Sequence, residues 1–453
     1  MDANLLIDHH PITSPDGPDG VVVRALLTIA GTVPANRQRA PLALSLVLDR
    51  SGSMGGHRLD AAKAASVRAA ERLHPDDVVS VIAFDSDIDV IAPPARRDAQ
   101  HQLVARVQQI NAGGSTNLSG GWLRGRQHME QAQGMLGTLD GSSRRIVLLT
   151  DGHANHGITE PSTLVELART ARAMGITTTT IGVGDGYDDA LLRAMADAGG
   201  GNNWYVERPD QAQDVLAEEL GNLLSVSAQG LSVTLTLEHA VSVFAMHANW
   251  PSEQSSPSTF TFDLGDLYAS EAKPLLLELF VSAAQLEALS TAGGSIATLR
   301  VAADVLLDGG GVEHRAVTLG VAATLEGQSS MVPAVEHAIL LARAAQAREE
   351  AARHQRAGNA ERAQALMQGM SDTLASSPLA ADAEYGHDLR SQESDLRVLG
   401  MRYAEGTFGE LEAKYQMQRS HNARRGKRQY DQRLSRQSLE DPAATPDDPD
   451  AVP

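Results

Sequence analysis

The pattern that most constrains the fold is the alternation of short apolar runs with helix-length segments between residues 42 and 224. Short connections separate the runs, as is typical of parallel strands that helices cover on both faces. The strongest apolar runs are 42–48, 78–84, 146–149 and 177–183. We therefore predict a doubly wound, mostly parallel α/β domain over residues 41–225. Ile88–Ile91 is predicted to be a short edge strand, and helices are predicted near 98–110 and 117–133.

Residues 226–330 follow a different pattern, in which apolar and polar side chains alternate with a period of two. Clusters of Pro, Gly, Ser and Asp separate these runs, which favours an antiparallel β-sandwich. The strand-like segment Gly20–Ile29 has no place in a parallel sheet, since it precedes the first parallel strand. We expect residues 1–40 to join the sandwich, so that the α/β domain is inserted into it.

The third part of the chain, residues 331–440, is predicted to be helical. Ala338–Gln355 and Ala360–Leu374 have the pattern of a helical hairpin, and Gly358 marks its turn. The last residues, 441–453, are rich in Pro, Asp and Ala and are predicted to form a disordered acidic tail.

Charge and composition exclude several classes of protein. The chain has 453 residues, no cysteine and a formal net charge of −19, which excludes thiolate sites and disfavours nucleic-acid binding. The basic stretch Arg419–Arg436 contains few aromatic residues, and we interpret it as a solvated helix face. The N-terminus does not resemble a signal peptide, and no apolar run reaches the ~18–20 residues of a membrane span. We therefore expect a cytoplasmic protein that does not contact membranes.

Polar motifs follow two of the predicted strands and precede one helix. Asp49-Arg-Ser51-Gly-Ser53 comes directly after the first buried strand, and Thr150-Asp151-Gly152 ends the strand at 146–149. The Gly-rich loop Gly113–Gly121, which contains Thr116, leads into a helix. In an open α/β sheet, ligands bind outside the carboxyl ends of the strands. The three motifs are therefore predicted to meet at one edge of the sheet.

These residue types suit a hard cation. Mg²⁺ takes oxygen ligands in octahedral geometry and keeps several waters. Hydroxyls of Ser51, Ser53 and Thr116 can coordinate it directly, whereas Asp49 and Asp151 can act directly or through water. Mn²⁺ or Ca²⁺ are alternative ions. Because neutral ligands leave the metal electron-poor, such a site attracts an Asp or Glu from a protein partner. Specificity is expected from flanking residues, namely Arg50, Met54, His57 and Asn155.

The three motifs together resemble the metal-ion-dependent adhesion site of von Willebrand factor A domains, including integrin I domains. Ala112–Asn117, Leu149–Asn155 and Ile181–Gly184 are similar to the bacterial branch of the family. The resemblance covers about residues 41–225 and lacks none of the motif residues, which implies an intact metal site. It also implies a protein-binding module that often works beside an ATPase or inside a larger assembly.

Other interpretations compete with this one. Asp49 and Thr116 could be only helix N-caps, and a purely structural assembly protein could use the metal to brace its loops. A metal-assisted hydrolase would need a positioned general base, for which no residue stands out. The sequence contains no H-E-x-x-H, G-x-S-x-G, P-loop or G-x-G-x-x-G motif. We therefore predict that the protein is not an enzyme.

Overall fold

The computed structural model describes residues 1–12, 20–32, 41–136, 142–184, 186–206, 208, 211–238, 241–247, 249–269, 271–286, 295–307, 311–322 and 331–426. The predicted acidic tail therefore lies outside the described residues. The chain divides into two compact units, one of residues 1–246 and 250–332 and the other of residues 247–249 and 333–453. Within the described part, no helix is both long and apolar enough to cross a membrane. The expected cytoplasmic location stays a prediction.

A six-stranded sheet forms the centre of the first unit. The chain begins with β1 (Asp2–Ile12) and β2 (Gly20–Ala30) and then enters this sheet, whose strands are β3 (Leu42–Asp49), β4 (Val78–Phe84), β5 (Ile88–Arg96), β6 (Ser143–Thr150), β7 (Ile176–Val183) and β8 (Gly200–Val206). Their order is β5-β4-β3-β6-β7-β8, and only β5 is antiparallel to its neighbour. All side chains of β3, β4 and β7 are buried, as expected for strands covered on both faces. The predicted doubly wound fold is confirmed.

The described residues of this α/β region form six α-helices, which are α1 (His57–Glu71), α2 (Leu103–Gln108), α3 (Leu118–Leu136), α4 (Pro161–Ala173), α5 (Asp189–Ala198) and α6 (Ala212–Leu224). Two predicted elements differ in length from those observed. The helix predicted near 98–110 is shorter, because a 3-10 turn at Arg97–Ala99 precedes it. The edge strand runs on to Arg96 through two prolines, which an edge position tolerates because it leaves amide positions unpaired.

Two glycines of α3 let this helix approach the sheet closely. A Cβ on Gly121 would lie 2.5 Å from the Phe84 ring, and one on Gly125 would lie 2.7 Å from a methyl group of Val47. Both neighbours are fully buried. These contacts fix the distance between α3 and the strands β3 and β4. The helix begins two residues after Thr116.

We expect Gly121→Ala to destabilise the protein by about 1–3 kcal/mol, because the added methyl group overpacks a filled core. The matched control is Gly134→Ala in the same helix, where a Cβ would meet nothing within 4 Å. That change should be neutral or stabilising by up to about 1 kcal/mol, since alanine favours helix. Urea unfolding followed by circular dichroism measures both. Equal effects would show that α3 does not pack as described.

Antiparallel strands make up most of what the structure describes in the rest of the first unit. They are β9 (Val226–Leu237), β10 (Ser242–Met246), β11 (Ser252–Ser256), β12 (Thr259–Tyr268), β13 (Ala272–Ser282), β14 (Ser295–Leu306) and β15 (Val312–Ala322). One sheet has the order β1-β2-β13-β10 and the other β11-β12-β9-β14-β15. The register pairs β2 with β13 from Gly20 with Ser282 to Ala30 with Ala272. The strand before the α/β region thus lies beside a strand that follows it.

A buried ion pair joins the central sheet to an antiparallel sheet. Arg145 of β6 is 2% exposed, and its Nη2 donates to Oδ2 of Asp266 on β12. The other carboxylate oxygen accepts from the amide of Gly230 at 3.0 Å and lies 3.5 Å from Arg172 Nη1. Burial by itself raises the pKa of Asp266, but the guanidinium groups of Arg145 and Arg172 lower it to about 2. The carboxylate is therefore held ionised.

The second unit is helical. Its helices are α7 (Pro333–Arg356), α8 (Ala360–Ser376), α9 (Gly386–Glu405) and α10 (Glu410–Arg424). Gly358 has φ +76° at the turn between α7 and α8, where the hairpin was predicted. Their apolar core includes Leu340, Met367, Leu374, Leu389, Leu396 and Tyr403.

The sequence suggested that the basic residues near the end of α10 form a solvated helix face. In the structure they instead contact other parts of the chain. Arg419 Nη2 lies 2.5 Å from Asp395 of α9, and Arg424 Nη1 lies 3.1 Å from Glu349 of α7. The Arg425 side chain donates to the carbonyl of Asn249, and this arginine is buried. Arg419 and Arg424 therefore join α10 to α9 and α7, whereas Arg425 binds the backbone at Asn249. Residues 427–436 of the stretch lie outside the described residues.

Candidate metal centre

Three loops meet at the carboxyl end of the central sheet. Asp49 is the last residue of β3, and Asp151 follows the last residue of β6, the parallel neighbour of β3. Backbone hydrogen bonds join the first loop to the Gly-rich loop, from Gly113 N to Arg50 O at 2.9 Å and from Gly52 N to Gly114 O at 3.2 Å. The sheet topology and these bonds bring the motifs together, as their order in the sequence predicted.

Asp49 is fully buried and held in one orientation. Its Oδ1 accepts from the amide of Ser51 at 2.7 Å, and its Oδ2 accepts from the hydroxyl of Thr150. Burial raises the pKa of Asp49 to about 6, although the hydrogen bonds from Thr150 and Ser51 lower it and the charge of Asp151 adds to the rise. Within the described part of the chain, no basic side chain forms an ion pair with Asp49, and a bound cation would supply the counterion that its charged form needs.

Asp151 is 1% exposed and has two partners. The hydroxyl of Ser53 donates to Oδ1 at 2.7 Å, and Arg58 Nη1 donates to Oδ2 at 2.8 Å. The hydroxyl of Ser53 also lies 3.1 Å from that of Ser51. The hydroxyls of Ser51 and Ser53 thus contact each other, and that of Ser53 also contacts the carboxylate of Asp151.

Thr116 completes the group from the Gly-rich loop. Its amide donates to Oδ1 of Asn155 at 2.7 Å, and its carbonyl accepts from the amides of Asn155 and His156 at 3.2 Å. The distances at Gly152 show how close the three loops come to one another. A Cβ there would lie 3.2 Å from the Thr116 hydroxyl oxygen and 3.9 Å from Asp49 Oδ2. The structure therefore places the five predicted site residues around one point.

Several neighbours of the group differ from the sequence interpretation. Met54 was expected on the rim but is fully buried, so it cannot contact a partner there. Arg50 is bound to two carboxylates, with Nε 3.2 Å from Asp85 and Nη1 2.7 Å from Asp89. Arg58 was not considered in the sequence interpretation, although it lies only five residues after Ser53 in the first turn of α1.

The donor set fits a small hard cation. Two buried carboxylates and three hydroxyls offer only oxygen, which Mg²⁺, Mn²⁺ and Ca²⁺ accept. Among the described residues no group of three or more His, Asp or Glu side chains could hold a metal. The exposed side chain of His153 lies 3.9 Å from Asp188. A metal at this edge would therefore need the hydroxyls as ligands as much as the carboxylates.

Comparison with known proteins matches part of the chain to a known domain family. Residues 44–218 match the family model of the von Willebrand factor type A domain. The chain is 28% identical over 266 residues to the uncharacterized protein sll0103 of Synechocystis, covering 56% of this chain and 61% of that protein. It is 27% identical over 241 residues to the uncharacterized protein YfbK of Escherichia coli, covering 52% and 41% respectively. The chain thus spans less than two thirds of the length of these relatives.

Solved structures share the fold. A von Willebrand factor type A protein from Catenulispora acidiphila has a TM-score of 0.63 at 18% identity and covers 88% of this chain and 96% of its own. The ArnB paralog VWA2 from Sulfolobus acidocaldarius has a TM-score of 0.53 at 15% identity and covers 94% and 98%. At these identities the likeness concerns the fold alone.

Proposed function

We propose that the von Willebrand factor type A domain of this chain binds a divalent cation through Asp49, Ser51, Ser53, Thr116 and Asp151 and so holds an acidic side chain of a protein partner. The observation that carries the proposal is the convergence of these five residues at one edge of the sheet. Thr116 and Asp49 lie beside Gly152, Ser51 hydrogen-bonds Asp49, and Ser53 hydrogen-bonds Asp151. Domains of this family are in general metal-dependent protein-interaction modules. Mg²⁺ is the ion we favour, with Mn²⁺ and Ca²⁺ as alternatives.

The charges of the site support binding rather than catalysis. A bound cation would supply an electron-poor centre with room for an external carboxylate, because three of its five protein ligands are neutral hydroxyls. The side chains of Asp49 and Asp151 are already oriented by Ser51, Thr150, Ser53 and Arg58, so that little reorganisation would oppose binding. Among the described residues, no histidine side chain or further carboxylate hydrogen-bonds the five proposed ligands, where a general base would stand.

The test is partner capture from native lysate with the full chain, in Mg²⁺ and in EDTA. Partners of the proposed kind, ATPase-containing assemblies among them, should appear in Mg²⁺ and be lost in EDTA. Thr116→Ala should weaken their binding about tenfold, because a ligand hydroxyl is lost. The control is Thr170→Ala, whose hydroxyl only bonds the Glu166 carbonyl on the exposed side of α4. That variant should bind as the unchanged chain does.

The same experiment separates the alternatives. A partner that binds equally well in EDTA, or to Thr116→Ala, would favour the structural assembly protein and contradict recognition through the metal. A captured partner should also lose binding when one of its acidic residues is replaced by the amide. Metal-dependent hydrolysis of ester or phosphoester substrates by the purified chain would instead favour the hydrolase.

A further inference from the structure

Asn155 is an exposed residue of the loop after Asp151, and its side chain lies against the Gly-rich loop. Its Oδ1 accepts from the backbone amide of Thr116 at 2.7 Å. The backbone amides of Asn155 and His156 both donate to the carbonyl of Thr116 at 3.2 Å. The backbone of Thr116, a proposed ligand that is 3% exposed, is therefore held on both its amide and its carbonyl side.

The loop that carries Asn155 is fixed further along as well. The amide of Ile158 donates to the hydroxyl of Ser119 at 2.8 Å. Gly157 has φ +74°, and a Cβ there would press against Asn117 Oδ1 and lie 2.6 Å from Ser119 Oγ. Only a residue without a side chain fits this approach. The position of Asn155 is therefore defined by the residues that follow it.

The bond to Thr116 also decides how the side-chain amide of Asn155 is oriented. A backbone N–H can only donate, so the atom that faces it is Oδ1, and Nδ2 is the atom left for other partners. Within the described part of the chain, Nδ2 donates to no other group. An uncharged group with two N–H donors is thus available at an exposed position beside a proposed ligand. Its hydrogen bonding does not depend on the balance of charges around the site.

We propose that Asn155 positions Thr116 through Oδ1 and offers Nδ2 to the second oxygen of the partner carboxylate, so that the site prefers a carboxylate to an anion of one atom. A carboxylate that gives one oxygen to a metal keeps another oxygen that needs a donor. The inference deepens the proposed function and depends on it for the metal. The sequence suggested Asn155 only as one of several flanking residues, whereas the inference gives its two side-chain atoms separate tasks.

The first experiment uses the full chain loaded with Mn²⁺, with acetate and fluoride as probes. Proton relaxation measures how each anion displaces Mn²⁺-bound water. Asn155→Asp keeps an acceptor for Thr116 but exchanges Nδ2 for an oxygen. Its added charge repels both anions alike, so the ratio of acetate to fluoride affinity reports the lost donor. We expect this ratio to fall about tenfold in Asn155→Asp and in Asn155→Ala, since a hydrogen bond to a charged oxygen is lost.

The matched control is Asn111→Asp, which adds the same charge at an exposed asparagine whose Nδ2 bonds the carbonyl of Gln109. The ratio should be unchanged in this variant. An unchanged ratio in both Asn155 variants would show that Nδ2 does not contact the anion, and the inference would be wrong. If the unchanged chain binds no Mn²⁺, the proposed function itself fails.

The positioning of Thr116 has a test without metal. Hydrogen exchange at the Thr116 amide should be about tenfold faster in Asn155→Ala and within about threefold of the unchanged chain in Asn155→Asp, because only the alanine lacks the acceptor. Calorimetry should likewise show weaker Mn²⁺ binding in Asn155→Ala and no loss in Asn155→Asp. Exchange in Asn155→Ala as slow as in the unchanged chain would contradict the positioning role, whether or not Mn²⁺ binds.

Discussion

Replacing Asp49 or Asp151 by alanine is expected to lower the affinity for Mg²⁺ or Mn²⁺ by about a hundredfold while the fold survives. These two carboxylates are the negative charges of the site, whereas the core lies in the strands behind them. Loss of Asp49 removes a buried carboxylate whose charged form is disfavoured by burial. Loss of Asp151 releases Arg58, which is exposed enough to be hydrated.

Titration calorimetry measures the affinity, and circular dichroism reports the fold. Asp60→Ala is the matched control, because it removes one exposed negative charge from α1 without touching the site. It should leave metal affinity almost unchanged. Unchanged affinity in both Asp49→Ala and Asp151→Ala would show that the cation does not bind at this edge.

Asp266→Asn is expected to cost about 3–5 kcal/mol of unfolding free energy, because it leaves the guanidinium of Arg145 buried without its counterion. Arg172 also loses one of its carboxylate neighbours but keeps Asp263 at 3.8 Å. Replacing the pair together, as Arg145→Met with Asp266→Leu, should restore much of the loss, since apolar residues of similar size need no counterion. Urea unfolding of the single and double variants measures both effects. A cost below 1 kcal/mol for Asp266→Asn would show that the pair is open to water.

The ion pair of Arg145 and Asp266 should also change how the stability of the protein depends on pH in acid. A carboxyl whose folded-state pKa is lowered contributes stability that is complete above its unfolded value, near 4, and is lost as the pH falls through the folded value. For Asp266 that loss extends down to about pH 2. The unchanged chain should therefore lose more stability between pH 4 and pH 2 than Asp266→Asn does. The exposed pair of Glu313 and Arg315 offers a control, and Glu313→Gln should alter this pH dependence little.

The sequence predicted the α/β fold because its signals are local. Each apolar run of the central sheet needs only its own residues and its flanking helices to be recognised, and the sheet order places their carboxyl ends together. Pairings between distant segments carry no such signal. The eleven-residue register of β2 with β13 depends on residues about 250 positions apart, and the sequence suggested only that such a pairing exists. Helices α9 and α10 lie within residues 331–440, which the sequence predicted to be helical without giving the bounds of these two helices.

The sequence predicted which five residues come together at this edge of the sheet, but not which residues surround them. Asp49, Ser51, Ser53, Thr116 and Asp151 follow from motifs at the ends of adjacent elements, and their role as ligands stays a prediction. Arg58 could not be found in this way, because its contact with Asp151 depends on the rotation of α1 and on the missing side chain at Gly184. Met54 was misplaced for a related reason: a 3-10 turn at Gly52–Met54 directs its side chain inward.

The pairing of β2 with β13 has a consequence for synthesis on the ribosome. The apolar β2 emerges about 250 residues before the strand that covers its second edge, and β1 alone can pair with it meanwhile. At about 5–20 residues per second, that interval lasts on the order of tens of seconds. During it the nascent chain presents an unpaired apolar edge, which is the kind of surface that chaperones and aggregation compete for. The α/β region between these strands can fold first. Once it has folded and its ends are close, the loop that must close for β13 to pair with β2 is shorter.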